Sequence, residues 1–164
     1  MEGRCTCGAV TYRLHDKPMF VNCCHCTWCQ RETGTAFALN AVIETDRLEV
    51  SGPVEYVMTP SASGQGQEIV RCSNCRVAIF SHYSGTKRLS AFVRVGTLDD
   101  PGQCPPGAHI FTSTRLPWVL LDPGTPAFEE YYDMSALWPA EALARRAAMK
   151  ERAAARPQGR CSAC

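Results

Sequence analysis

The sequence predicts a mainly β fold closed by a C-terminal α-helix, and three observations carry that expectation. Up to about residue 112, β-branched and aromatic residues alternate in short runs separated by Gly, Pro and Ser turn signals. One alanine-rich stretch, Pro139 to Ala155, has the composition and charge order of a helix. The chain has 164 residues, 45% hydrophobic and 20% charged, which suits an ordinary domain with its own core.

The strand candidates begin with Ala9–Leu14, Met19–Cys24 and Ala36–Ile43. Ser51-Gly52-Pro53 then separates Arg47–Val50 from Val54–Met58, and Thr59–Gly66 separates that run from Glu68–Cys72. Val77–His82 and Leu89–Val95 follow on either side of Ser84-Gly85, and His109–Thr112 is the last candidate. Ser61–Gly66 lacks the Lys-Ser/Thr that a phosphate loop requires, so it reads as a hairpin connection. Thr27–Glu32 suits a short helix ending at Gly34. Prolines at 101, 105 and 106, and again at 117, 123 and 126, make those stretches irregular. The final helix begins with proline, carries Arg145, Arg146, Lys150 and Arg152 toward its negative end, and stops at Pro157 and Gly159. Two regions result: residues 1–139, net −3, and a basic helix and tail over 140–164, net +4.

Seventeen basic against sixteen acidic residues give no overall reason to expect an anionic polymer or membrane as partner. The basic C-terminal residues have no interleaved aromatics, which disfavours nucleic acid. No apolar run approaches the ~20 residues that span a bilayer. Met-Glu-Gly-Arg-Cys lacks the layout of a secretory leader, so a cytoplasmic location is expected.

Eleven cysteines are an odd number, and several stand too close together to pair comfortably. Clustered thiols at short regular spacings in a reducing compartment serve metals first. Cys5-Thr-Cys7 and Cys72-Ser-Asn-Cys75 offer two short pairs from distant segments, the pattern of a closed structural zinc site. A redox role for Cys72 and Cys75 is disfavoured, since Arg76–Phe80 reads as strand rather than as the helix such sites open.

The inner run is Cys23-Cys24-His25-Cys26-Thr27-Trp28-Cys29. Positions two apart on a strand share a face, so Cys24 and Cys26 aim at one point, and a turn can return Cys29 to it. Three thiolates leave a fourth position for water or a substrate thiol. Cys23 could instead supply a fourth thiolate and close the site, but it faces the other way on a regular strand and reads first as a small buried hydrophobe. His25 points away with it and reads as a strand or supporting histidine.

Cys5-x-Cys7, Cys24-His25-Cys26-x-x-Cys29 with Arg31 and Gly34, and Cys72-x-x-Cys75 together resemble the glutathione-dependent formaldehyde-activating enzyme family. Centromere protein V-like proteins belong to the same group. Arg94–Pro101, His109-Ile-Phe111 and Pro117-Trp118 are similar to its later segments, so the resemblance covers about residues 3–134. It implies a β-tent of several small antiparallel sheets with two zinc ions per chain. Cys5, Cys7, Cys72 and Cys75 would hold the structural ion, and Cys24, Cys26 and Cys29 the catalytic one.

The implied activity is that of a carbon–sulfur lyase joining glutathione reversibly to formaldehyde, or to another small aldehyde, as S-hydroxymethylglutathione. Glutathione carries two carboxylates, for which Arg31 is the candidate partner, while Gln30 stands where a basic residue often precedes it. His109 could orient substrate or shuttle a proton, and a hydrogen-bonded structural role is its other reading. The alternative for the whole chain is a zinc-stabilised protein-binding module without turnover. Cys161 and Cys164 lie beyond the resemblance and read as exposed thiols.

Overall fold

The computed structural model describes residues 1–61 and 63–155, and among these ten strands form two sheets. The smaller sheet has the order β1-β2-β5, from β1 (Glu2–Arg4), β2 (Thr11–Leu14) and β5 (Leu48–Ser51). The larger contains β3 (Phe20–Cys24), β4 (Ala38–Glu44), β6 (Val54–Thr59) and β7 (Gln67–Cys72). It is completed by β8 (Ala78–Tyr83), β9 (Ser90–Arg94) and β10 (Ala108–Ile110), in the order β10-β3-β4-β9-β8-β7-β6. The expected fold class, mainly β with more than one sheet and a C-terminal helix, is what the chain adopts.

Two strand features depart from the sequence reading. β1 was not among the candidates, because Glu-Gly-Arg carries no β signature. Pairing makes it a strand: Glu2 lies opposite Arg13, whose guanidinium donates to its carboxylate at 2.6 Å. The larger sheet is also mixed rather than wholly antiparallel, since β10 runs parallel to β3. A parallel return needs a crossover of about a dozen residues or more, and the proline-rich stretch 95–107 supplies it.

The β5–β6 turn depends on Gly52, at φ 105°; a Cβ there would lie 2.0 Å from the Ala9 carbonyl oxygen. Helix α1 (Thr27–Thr33) starts at Cys26, whose sulfur accepts from the Cys29 N–H, and ends at Gly34 in the left-handed region. A one-turn helix α2 (Met134–Leu137) is capped by Asp133, whose carboxylate accepts from the Ser135 N–H at 2.9 Å. Helix α3 (Ala140–Ala155) buries Ala142 and Met149, spaced two turns apart on one face.

Two apolar clusters result. One joins Val10, with Tyr12 and Leu14 of the small sheet, to Ile43, Ile79 and Val93 of the large one. The other gathers Met19, Ala38, Val42, Trp138 and Ala142 around Cys24, Cys26 and Cys29. The C-terminal helical segment therefore packs over the sheet region that carries the inner cysteines.

Candidate metal centres and the cavity beside them

Cys5 and Cys72 each open a small loop closed by backbone bonds. The Cys5 N–H donates to the Val10 carbonyl and the Cys72 N–H to the Val77 carbonyl, both at 3.0 Å. Each loop contains a residue in the left-handed region, Gly8 at φ 74° and Arg76 at φ 64°. These turns bring Cys5, Cys7, Cys72 and Cys75 together, with their sulfurs all within 4.8 Å of one another. Cys5 and Cys7 are 3.5 Å apart, and Cys7 and Cys72 3.8 Å. Zinc–sulfur bonds of ~2.3 Å at tetrahedral angles place sulfurs about 3.8 Å apart, so the donor set fits such an ion.

The inner cluster forms where β3 runs into α1. The sulfurs of Cys24, Cys26 and Cys29 also lie within 4.8 Å of one another, and all three residues are buried. Hydrogen bonds from Cys24 and Cys29 pull the Cys26 thiol down, whereas burial drives the Cys23 thiol up to about 12. Three crowded buried thiols sharing negative charge are a donor set suited to a soft or borderline cation. Cys23 faces away from them and, with 2% of its surface exposed, sits beside His25 instead.

The inner cysteines lie on the wall of a cavity of about 370 Å³. Trp28, Tyr83, Phe92, Phe111 and Tyr131 make much of its wall aromatic. Asn22, Asn40, Gln65 and Gln67 contribute amides, and no charged side chain lines it among the described residues. A second groove, formed by charged residues of the small sheet, contains no cysteine.

The remaining sequence candidates fall around this centre. His25 and His109 meet ring to ring, Nε2 to Nδ1 at 3.0 Å, and neither lines the cavity. Burial lowers both imidazoles, His25 to about 4. Gln30 donates to the carbonyls of His25 at 2.7 Å and Thr114 at 2.9 Å, tying α1 to the segment after β10. Arg31 is exposed on α1, outside the cavity lining, one turn beyond Trp28. Cys161 and Cys164 lie outside the described residues.

Sequence reasoning overlooked the amide row. Asn22 on β3 is paired with Asn40 on β4, which is paired with Arg94 on β9. All three are at least nine-tenths buried. The available signal was an asparagine within each of two apolar strands, Phe-Val-Asn-Cys-Cys and Ala-Leu-Asn-Ala-Val-Ile.

The sequence pattern of the family described as "Glutathione-dependent formaldehyde-activating enzyme" matches residues 1–114. Among solved structures, a Rhodobacter sphaeroides protein is similar at 20% identity and a TM-score of 0.44; the match covers 60% of this chain and 88% of that one.

Proposed function

The chain belongs to the glutathione-dependent formaldehyde-activating enzyme family, and from that premise we propose a zinc-dependent carbon–sulfur lyase. Family membership supports glutathione-dependent activation of formaldehyde in general terms. The reaction proposed is reversible addition of glutathione to formaldehyde, giving S-hydroxymethylglutathione. One C–S bond forms, the carbonyl becomes a hydroxyl, and the thiol proton ends on that oxygen. No further reactant is needed.

The observation that carries this reading is the convergence of three buried thiols on the wall of a cavity able to admit a small molecule. Cys24, Cys26 and Cys29 would hold one zinc ion there, and Cys5, Cys7, Cys72 and Cys75 a structural one. A zinc ion bound by three thiolates would lower the pKa of a thiol or polarise a carbonyl oxygen.

The chain's own residues would do the rest. The aromatic wall would exclude water from the reacting carbon, and the uncharged amides would meet polar groups without ion pairing. Glutathione's carboxylates would then project from the cavity. Arg31 follows Trp28 at i+3, on one side of α1, and is proposed to meet one of them there. Gln30 would hold the segment around the inner cysteines against the segment after β10.

The same proposal assigns residues 1–139 as the catalytic unit and 140–164 as a basic helix and tail, in the cytoplasm. The nine cysteines among the described residues are free of disulfides, which suits a reducing setting. No helix among those residues is long and apolar enough to cross a membrane.

Zinc stoichiometry and zinc-edge absorption with and without glutathione, alongside NMR detection of S-hydroxymethylglutathione formation, test the reading. Two ions per chain, a sulfur gained at one of them with glutathione, and accelerated adduct formation are expected. Sites unresponsive to glutathione, with no acceleration, would overturn the lyase and leave a binding module.

A further inference from the structure

We propose that Asn22 and Asn40 form a paired amide donor site for the oxygen on the reacting carbon. The inference rests on the lyase reading and adds to it the groups that would recognise the aldehyde or its thiol adduct. Both side chains line the cavity that holds Cys24, Cys26 and Cys29, and they are 3% and 4% exposed. They face each other in the β3–β4 register.

Each amide oxygen is occupied by a donor on the protein side. Trp138 Nε1–H donates to the Tyr132 hydroxyl at 2.8 Å, and an indole N–H is only a donor. The Tyr132 hydroxyl donates in turn to the Asn22 Oδ1, also at 2.8 Å. The Arg94 guanidinium, again a donor only, occupies the Asn40 Oδ1. Both carbonyl oxygens are thus held from the protein side, and both NH₂ groups are left as the free faces.

Asn22 Nδ2 has no protein acceptor among the described residues. Asn40 Nδ2 makes one long contact, 3.5 Å to the Ala38 carbonyl, leaving its other hydrogen available. The buried cation on its carbonyl side polarises the Asn40 amide and strengthens it as a donor. Arg94 Nε has no hydrogen-bond partner, and no carboxylate is bonded to this guanidinium among the described residues.

Two amide donors side by side, with no acceptor turned inward from either, suit a carbonyl, a hydroxyl or a developing alkoxide. As the thiolate sulfur forms its bond to carbon, the carbonyl electron pair moves onto oxygen. A fixed N–H pair binds that oxygen more strongly as the charge develops. The pair would act on the reverse reaction through the same oxygen.

The experiment combines kinetics with side-chain amide NMR of the zinc-loaded full chain. Asn22→Asp and Asn40→Asp keep size and an acceptor for Tyr132 or Arg94, but remove the inward N–H. Each is expected to lower kcat about a hundredfold, with zinc content retained. In the unsubstituted protein, the NH₂ resonances of Asn22 and Asn40 should both shift when glutathione and formaldehyde are added together. Turnover within threefold of the parent in both variants, or unmoved NH₂ signals in an active protein, would overturn the donor pair alone. If the parent shows no turnover, the lyase reading falls and acetone serves as a carbonyl probe that needs no thiol. Shifts of both NH₂ pairs would then uphold the oxygen site, and their absence would overturn it too. A variant that fails to fold leaves the NMR arm on the parent protein decisive.

Discussion

Arg145 grips Glu44 with two guanidinium nitrogens, Nη2 at 2.6 Å and Nε at 3.0 Å, where α3 crosses the end of β4. The Glu44 side chain is 1% exposed and that of Arg145 15%, so water screens the pair weakly. Arg145 also donates to the Lys17 carbonyl at 2.8 Å, which joins helix, strand and the approach to β3. Removing Arg145 leaves the buried Glu44 carboxylate with only the longer contact to Arg47 Nε, at 3.6 Å. Arg145→Met should cost about 3 kcal/mol in chemical denaturation, and Glu44→Gln added to it should recover part of that loss.

The outer cysteine cluster links segments 65 residues apart, Cys7 and Cys72, across both sheets. Cys72→Ser is expected to release one zinc ion and lower Tm on the order of 10 °C, read by metal analysis and calorimetry. Retention of two ions at parental Tm would remove the structural site from the proposal.

Cys26→Ser should behave differently. It removes a donor from the cavity wall and a sulfur from the start of α1, while both sheets keep their pairing. One zinc ion and nearly all adduct-forming activity should be lost, with a Tm change well below that of Cys72→Ser. Parental activity in a variant holding a single zinc ion would place the chemistry elsewhere.

Tyr12 gives a pH dependence of known sign. Burial pushes its phenol well above the usual value near 10, against a lowering contribution from its 2.7 Å hydrogen bond to Thr97. In the unfolded chain the phenol ionises near pH 10, and in the folded protein it resists. Its stabilisation is therefore complete below pH 10 and is lost as pH rises beyond it. Tm measured from pH 8 to 12 should fall above pH 10, and Tyr12→Phe should lessen that fall, to which the buried phenols of Tyr83, Tyr131 and Tyr132 also contribute, while lowering Tm slightly at pH 8.

Gly52 is intolerant of a side chain for two independent reasons, its φ of 105° and the Ala9 carbonyl oxygen in the space a Cβ would fill. Gly52→Ala should cost about 3 kcal/mol, measured by denaturant titration. A neutral result would mean that the β5–β6 turn can move away from the β2 approach.

The parts of this structure legible in the sequence are those written in neighbouring residues. Cys24, Cys26 and Cys29 come together through strand alternation and one helical turn, both local rules. Most strands were found within one or two residues, because Gly52, Gly64 and the prolines mark their ends. The Asn22–Asn40–Arg94 row was not legible, since it arises from the register of three strands up to 72 residues apart. Nor was the His25–His109 contact, which depends on a parallel pairing reached through an irregular crossover. Glu2–Arg4 became strand only because Thr11–Arg13 lay beside it.

The match to the family ends at residue 114, yet Tyr131 lines the cavity while Tyr132 and Trp138 fix Asn22 from behind. The thiols therefore sit on one stretch of chain and part of the mould around them on another. The two stretches are separate in the chain but not in space, because Tyr132 and Trp138 pack in the same apolar cluster as Cys24, Cys26 and Cys29, so substitutions in residues 131–138 would change the shape of the cavity and the hold on Asn22 together.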